Sequence, residues 1–375
     1  MDNQEFAIAF SEKNAEEAIK EVSLKIKLVF PKQIKYLLIL FTHHYQPSSI
    51  QQTINLTLKP NQILGIQVPF VIYEDKIAEK GIAVFCINKR GVTLKESFLK
   101  SGDAEEIESH LHSSLGKLNR NEFYLLSFIS SNFKPFSYLH GTRMAMGNYI
   151  NLLGGGYITP FANRELKFSN AYVNEGMMNT AIGGVEINSF KLGGYYPLGK
   201  PFTVTKISHH RSVVEEIDGR PAVNIYRKYL EEKFPAFKKN NLFSFYPLGI
   251  KEDGSYRLVN IRESLEDGSL IAMGELKEGS RGYIMLLDPN LLFESIEERL
   301  APLKKHKSGL VFIANTLGRH KILMDKSKEE IRLIKENLGE NFKIIGAYFD
   351  YFIFSNKQKL NLEIDSADML LSLWQ

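Results

Sequence analysis

The stretch YPLGKPFTVTK at residues 196–206, followed by VVEEIDGRPAVNIYRKYL at residues 213–230, decides how this chain is organised. Val204 and Ile207 stand among polar residues, which predicts short strands on this side of a turn. Asp218-Gly219 is a dipeptide typical of tight turns. The two stretches therefore predict two strands joined across a turn.

A helix is predicted directly after that turn. Pro221 suits the first turn of a helix, where the missing N–H costs nothing. The helix predicted over 222–233 places Val223, Tyr226, Tyr229 and Leu230 on one face. None of these residues is an obvious acid, base or nucleophile. The whole segment is interpreted as a structural junction between two parts of a larger protein.

Outward from the junction, one pattern occurs three times: an apolar strand, a helical stretch, a strand marked by glycine, and a further strand. The copies are 36–41, 48–58, 63–66 and 81–87; 123–129, 137–153, 152–157 and 180–187; and 310–313, 326–338, 344–348 and 369–374. Their unequal spacing indicates duplication followed by divergence rather than a solenoid. We expect an α/β fold in two lobes, each a mixed sheet flanked by helices and built from this unit.

Glycine lies in the middle of each copy, at Gly65, at Gly154-Gly155-Gly156 and at Gly346. A residue without a Cβ allows another backbone or a ligand to approach closely. Tight crossing of strands in the core and contact with a ligand are both consistent with these positions. The three consecutive glycines carry a high conformational entropy, which favours a functional reason there.

Composition excludes several classes of protein. The chain has 375 residues and a formal net charge of +4, and its basic residues are dispersed rather than gathered into a stripe, so no nucleic-acid partner is expected. The single cysteine, Cys86, rules out a disulfide within the chain, and no signal peptide is recognisable, which together predict a cytoplasmic protein. No apolar run is long enough to span a bilayer, so no membrane insertion is expected.

Motifs of catalysis and metal binding do not emerge from the sequence. The segment from Gly194 to Lys200 has the spacing of a phosphate-binding loop, but Pro201 stands where a magnesium-binding Ser or Thr is needed. The nine histidines lack the spacing of a metal site. We therefore expect neither an enzyme nor a bound metal, although an enzyme of unrecognised type stays open because active sites assemble from distant positions.

The junction and two later segments together resemble the FIST family of sensory proteins in signal transduction. The later matches are FYPLGI at 245–250, RLVN at 257–260 and GSL at 268–270, then LVFI at 310–313, Gly318-Arg319 and IGAY at 345–348. The resemblance implies an N-terminal FIST domain over 1–200 and a C-terminal FIST domain over 201–375.

The resemblance also implies a function. It predicts that the protein binds a small molecule, an amino acid being one candidate, between its two halves and signals through a separate partner such as a histidine kinase or a cyclase. Some FIST-like proteins are haem-based nitric-oxide sensors, so haem is an alternative ligand. The candidate axial ligands are His140, His209 and His210.

Aromatic residues follow the repeat glycines and suit a pocket for a small organic ligand. Arg319 offers a guanidinium group to a carboxylate. The alternative is that the aromatic residues belong to the core and that Arg319 lies on the surface. The predicted ligand-binding residues are Gly65, Gly154, Gly155, Gly156, Tyr157, Arg319, Gly346, Tyr348 and Asp350.

Overall fold

The repeated unit is present three times in the structure, a computed structural model that describes residues 5–31, 34–119, 122–131, 133–157, 166–168, 171–173, 176–208, 212–240, 242–252, 255–356 and 361–375. The first repeat comprises β1 (Phe6–Ser11), α1 (Ala15–Val29), β2 (Tyr36–Phe41), α2 (Pro47–Thr57), β3 (Gln62–Gln67), β4 (Val71–Tyr73), β5 (Lys76–Ala78) and β6 (Ile82–Ile87). The second comprises β7 (Thr93–Leu99), α3 (Ala104–Leu115), β8 (Phe123–Ile129), α4 (Pro135–Met146), β9 (Asn151–Gly156), β10 (Leu166–Phe168), β11 (Ala171–Val173) and β12 (Met177–Gly183).

The third repeat carries a long insertion after its first strand, β13 (Ile187–Leu192). The insertion comprises β14 (Tyr195–Ile207), β15 (Val213–Ile217), β16 (Arg220–Pro221), α5 (Asn224–Leu230), α6 (Phe234–Lys239), β17 (Leu248–Glu252), β18 (Ser255–Val259), β19 (Ile261–Ser264), β20 (Leu270–Ala272) and β21 (Arg281–Leu287), with 3₁₀ turns at Glu231–Lys233 and Leu242–Phe245. The repeat then continues with α7 (Pro289–Lys304), β22 (Gly309–Thr316), α8 (Leu317–Leu323), α9 (Lys326–Leu338), β23 (Phe342–Phe349), β24 (Tyr351–Asn356), β25 (Asn361–Asp365) and β26 (Met369–Trp374).

Each repeat lends a hairpin to a neighbouring repeat. The three six-stranded sheets have the same order: β1-β6-β2-β3-β10-β11, β7-β12-β8-β9-β24-β25 and β13-β26-β22-β23-β4-β5. In every sheet one parallel pair joined through helices lies at the centre, and antiparallel strands flank it. The two halves of the chain consequently share sheets, since β4 and β5 pair with the last repeat and β24 and β25 with the second.

The inner faces of the three sheets meet in one apolar core. Phe85 packs edge-on against Trp374 at 5.2 Å between ring centroids, and Phe128 stacks on Phe349 at 5.8 Å. Separate apolar clusters lie between each outer face and its own helices. The strands of the parallel pairs are therefore covered on both sides, which explains their continuous apolar sequences.

The insertion forms a fourth sheet, in the order β18-β17-β21-β14-β15-β20-β19, with its own apolar core beneath α5 and α6. Strand β14 pairs first with β21 and then with β15, and its register with β21 shifts between Leu198 and Phe202. Gly199 supplies a left-handed residue at this bend, with φ at +72°. The predicted turn is present, because Asp218 and Gly219 have φ of +52° and +70°.

The helix after this turn begins later than predicted. Pro221 lies in β16, opposite Glu216, and the Ala222 N–H donates to the Glu215 carbonyl at 3.0 Å, so the returning strand continues past the turn. The helix starts at Asn224 and ends at Leu230. The α/β class, the mixed sheets and the repeated unit are confirmed. The predicted domain boundary at residues 200/201 falls inside β14.

Candidate functional site

The repeat glycines lie where neighbouring strands approach closely. A Cβ at Gly154 would collide with the Ser127 carbonyl oxygen, and one at Gly346 with the Ile313 carbonyl oxygen, each the register partner across the parallel pair. Gly65 occupies the same register position, opposite Ile39. This crowding favours close packing over ligand contact as the role of the repeat glycines.

The next two glycines of the second repeat face aromatic rings. A Cβ at Gly155 would lie 2.7 Å from the Phe349 ring, and one at Gly156 would strike the Tyr351 ring. These contacts leave no room for a ligand beside either glycine. The run of three glycines therefore lets β9 pack between β8 and the aromatic residues of the third repeat.

Three other predicted residues meet where β9 and β23 end. The Tyr157 hydroxyl donates to the Tyr348 carbonyl at 3.0 Å, and the Asp350 N–H donates to the Gly156 carbonyl at 3.0 Å. Tyr157 and Tyr348 are 4% and 0% exposed, so both belong to the core. Burial raises the pKa of the Tyr348 hydroxyl, which keeps it neutral.

Arg319 is buried in an ion pair, rather than exposed on the surface or open to a ligand. Its Nε donates to the two carboxylate oxygens of Glu330 at 3.0 and 3.3 Å, and its Nη2 to Oε1 at 2.6 Å. Nη2 also donates to the Gly193 carbonyl at 2.8 Å, where the insertion leaves the third repeat. Burial by itself lowers the pKa of Arg319, but the charge and the hydrogen bonds of Glu330 have the larger effect, so the pKa of Arg319 is raised.

A second group of charges lies beside this pair, in which two carboxylates are buried and Lys191 is partly exposed. Lys191 contacts Asp365 at 2.8 Å and Asp368 at 3.3 Å, and Asp365 Oδ1 also accepts the Ala367 and Asp368 N–H groups, both at 2.9 Å. These contacts outweigh burial and lower the pKa of Asp365. Burial and the neighbouring Asp365 raise the pKa of Asp368. We call the set comprising Lys191, Arg319, Glu330, Asp365 and Asp368 the seam network, because it lies where the insertion joins the third repeat.

The raised pKa of Asp368 makes stability depend on pH. The folded chain holds a proton on this carboxyl group that the unfolded chain releases above about pH 4, so the free energy of unfolding falls as the pH rises through the window from about 4 to about 7. Asp368→Asn removes this loss. The free energy of unfolding of the variant, measured relative to that of the wild type, is therefore expected to be higher at about pH 8 than at about pH 5, by on the order of 2 kcal/mol.

Urea unfolding at both pH values measures this difference, with the exposed Asp325→Asn as the control. A difference between variant and wild type that is the same at both pH values would contradict the raised pKa.

An open cleft lies between the repeats and the insertion. It has two adjoining chambers of about 510 and 520 Å³, bounded by α4, by β25 and by strands of the fourth sheet. The first chamber is lined by Phe136, Leu139, Arg143, Ile250, Lys251, Glu252, Arg257, Gly274, Glu275, Lys277, Ser280, Asn361, Leu362, Glu363 and Ile364. The second is lined by Lys134, Pro135, Phe136, Ser137, Ser212, Val213, Arg262, Ile271, Ala272, Met273, Glu275 and Ile364.

Arginine side chains of the first chamber differ in how fully they are paired. Arg257 Nε donates to Glu252 at 2.7 Å and its Nη2 to the Glu275 carbonyl at 3.0 Å. Arg143 Nη2 donates to the Leu362 carbonyl at 2.7 Å, which ties α4 to β25. Its buried Nε has no hydrogen-bond partner within the described parts of the chain. This Nε is closed to solvent, but Arg143 forms no salt bridge with a described carboxylate, so its charge is unpaired where the side chain lines the cleft.

Comparison with known families identifies the chain. The FIST N domain matches residues 36–220 and the FIST C domain matches residues 222–349. The chain belongs to the FIST family. FIST domains are associated with sensory signal transduction. The resemblance seen in the junction sequence is thereby confirmed.

Individual relatives of this FIST protein add little about its ligand. An uncharacterised protein of Methanocaldococcus jannaschii is 22% identical over 270 residues, which cover 66% of this chain and 52% of the relative. The chain thus spans about half the length of that curated relative.

Solved structures also match this FIST protein at low similarity. A cyanuric acid hydrolase from A. caulinodans matches over 99% of this chain and 98% of its own, with 6% identity and a TM-score of 0.37. Phosphoribosylformylglycinamidine synthase II from Thermotoga maritima matches over 100% of this chain and 72% of its own, with 9% identity and a TM-score of 0.21. Both TM-scores are too low to bear on fold or function.

The haem alternative has one described candidate ligand in this FIST protein. His140 is exposed on α4, whereas an axial haem ligand needs an enclosed pocket around it, so this residue does not fit. His209 and His210 lie outside the described residues. In the described part of the chain, no three His, Cys, Asp or Glu side chains are grouped so that they could hold a metal ion, and no helix is long and apolar enough to cross a membrane.

Sequence reasoning missed the residues of the cleft. Arg257 lies within a segment that resembles FIST proteins, and Arg143 lies within the helical stretch predicted over 137–153. No local pattern marks them, because the cleft is assembled from α4, β25 and the insertion. The one usable signal was the junction itself, since a segment that joins two parts of a protein implies a boundary where a cleft can form.

Proposed function

We propose that this FIST protein is a sensor that binds a small molecule in the cleft and passes its occupancy to a separate partner protein. The observation that carries the proposal is Arg143, which lines a chamber of about 510 Å³ and, among the described residues, bonds a carbonyl oxygen but no carboxylate. Chambers of this volume are typical of sites for small organic ligands. The cleft is proposed as the ligand site instead of the repeat glycines, because protein atoms fill the space around Gly154, Gly155, Gly156 and Gly346.

Position in the fold supports a sensory role for the cleft. One wall belongs to the second repeat through α4, and the opposite wall belongs to the insertion. A ligand that contacts both walls binds more tightly when the insertion and α4 are positioned so that both sets of contacts form. A signal requires such a difference in affinity between two conformations. β25 extends from the cleft directly to Asp365 in the seam network, so a shift of this strand reaches the buried charges.

The output of the signal is proposed from the family. A histidine kinase or a cyclase would read the altered arrangement of insertion and repeats, and an amino acid is one ligand class to test. A cytoplasmic location and the absence of catalysis stay predictions.

The test is a thermal-shift screen of amino acids and common metabolites against the wild type and Arg143→Gln. A compound that binds the cleft is expected to bind the variant about 10-fold to 100-fold more weakly, because a hydrogen bond to a charged group contributes about 1.5–3 kcal/mol. The exposed Lys321→Gln serves as the matched control, and it should bind like the wild type.

Circular dichroism of the unliganded variants checks that Arg143→Gln keeps the fold despite losing its bond to Leu362. If no compound in the screen binds, or if bound compounds bind Arg143→Gln as tightly as the wild type, the cleft is not the sensory site.

A further inference from the structure

The two chambers of the cleft differ in chemistry. We call the one that contains Arg143 the charged chamber and the one that contains Met273 the apolar chamber. They share Phe136, Glu275 and Ile364, so a single ligand can extend from one into the other. The ligand class follows from what each chamber offers.

The charged chamber has a small positive excess. Its basic side chains are Arg143, Lys251, Arg257 and Lys277, and its acidic side chains are Glu252, Glu275 and Glu363, which leaves an excess of one positive charge. A singly charged anion balances this excess, whereas Lys134 and Arg262, which line the adjoining chamber, are exposed and screened by solvent. A phosphate group with two negative charges would add repulsion from three carboxylates near the same space.

The donor for that anion is identified by elimination within the charged chamber. Arg257 already bonds Glu252 and the Glu275 carbonyl. Lys251 and Lys277 are exposed at the mouth, where solvent screens their charge. Arg143 lines the chamber and forms no salt bridge with a described carboxylate, so its guanidinium group is the one that gains most from an anionic oxygen.

The apolar chamber offers hydrophobic surface that is still open. Phe136, Val213, Ile271 and Met273 line it, and each is only half-buried. They come from three places in the fold, namely the first turn of α4, strand β15 and the end of β20. An apolar group placed among them removes this surface from water, and Met273 adapts to its shape.

We propose that the ligand is a small monocarboxylate with an apolar tail, its carboxylate on Arg143 and its tail beside Met273. This inference rests on the proposed function, because it names the ligand class of the same cleft. The shared residues Phe136 and Ile364 line the passage through which the tail runs. Glu275, the third shared residue, is exposed to solvent, which screens its charge.

The experiment is titration calorimetry with straight-chain carboxylates from butanoate to decanoate, below their micelle-forming concentrations. The dissociation constant is expected to fall about threefold to fourfold with each added methylene until the apolar chamber is filled. Alcohols of equal chain length should bind at least about 10-fold more weakly, because they lack the charge that meets Arg143.

Two variants separate the parts of the ligand. Met273→Gln is expected to flatten the dependence on chain length and to leave the preference for carboxylate over alcohol. Arg143→Gln should remove that preference and keep the dependence on length. Met144→Gln, on the exposed face of α4, is the matched control and should behave like the wild type.

Several outcomes would overturn the inference. If the affinity does not change with chain length, the ligand has no apolar tail in the apolar chamber. If alkyl phosphates bind about 10-fold more tightly than the carboxylates, the preferred head group is not a singly charged anion. If the carboxylates fail while another compound from the screen binds in an Arg143-dependent way, the ligand class is wrong and the sensory cleft stands. If nothing binds the cleft, both proposals fall.

Discussion

Replacing Glu330 by glutamine is expected to lower the free energy of unfolding by about 3–5 kcal/mol, because the change leaves the Arg319 guanidinium buried without its countercharge. Both side chains are 0% exposed, and three contacts of 2.6 to 3.3 Å join them. The guanidinium group has no exposed surface at which solvent could replace the lost carboxylate. Urea unfolding of Glu330→Gln against the wild type measures the effect.

Two further variants make this result interpretable. Glu329→Gln changes the exposed neighbour on α9 and should stay within about 0.5 kcal/mol of the wild type. Replacing Arg319 and Glu330 together by methionine removes both charges and should recover most of the lost stability, since apolar residues of similar volume often match a buried ion pair. A loss below about 1 kcal/mol in Glu330→Gln would mean that water reaches Arg319.

Replacing Gly154 by alanine is expected to lower the free energy of unfolding by about 3 kcal/mol or more, or to prevent folding altogether. The added methyl group would occupy the position of the Ser127 carbonyl oxygen on the adjacent parallel strand. A backbone atom at the centre of a sheet cannot rotate away as a flexible side chain can. Thermal unfolding and the yield of folded protein measure the outcome.

Gly318→Ala is the matched control for this substitution. A Cβ at Gly318 meets its nearest atom, the Ser366 carbonyl oxygen, at 3.4 Å, which is ordinary contact. Alanine in α8 should therefore be neutral or slightly stabilising, by up to about 1 kcal/mol. If Gly154→Ala proved as stable as Gly318→Ala, the parallel strands would be less closely packed than described, and the ligand interpretation of the glycines would regain support.

The repeats could be predicted because their signal is local. A strand covered on both faces has an unbroken apolar sequence, and the strands at Tyr36–Phe41 and Gly309–Thr316 show it. The helices of the first and third copies were placed to within a few residues, at Pro47–Thr57 and Lys326–Leu338, but the helix predicted over 137–153 ends at Met146, because β9 begins at Asn151. The exchange of hairpins between repeats was not foreseen, because edge pairing depends on which sheet lies nearby and not on the strand itself.

Arg319 illustrates why candidate sites were harder to predict than strands. An arginine after a strand and a glycine is consistent with a ligand contact, a surface position or a buried pair. Glu330, which settles the question, lies in a separate helix, and the Gly193 carbonyl comes from the edge of the insertion. Burial decides the role of the guanidinium group, and burial is a property of several segments at once.

Sequence alone was sufficient for the α/β class, the threefold repeat, the junction hairpin and the FIST family, because each depends on residues that are close along the chain or on their order. Tertiary structure decided that the repeats share their sheets around one core, that the glycines are packed against backbone and aromatic rings, and that the open space lies between α4, β25 and the insertion. The physical reason is that hydrophobic periodicity and turn propensity act between near neighbours. The collision of a Cβ, the burial of a charge and the volume of a cleft depend instead on atoms that only the folded chain brings together.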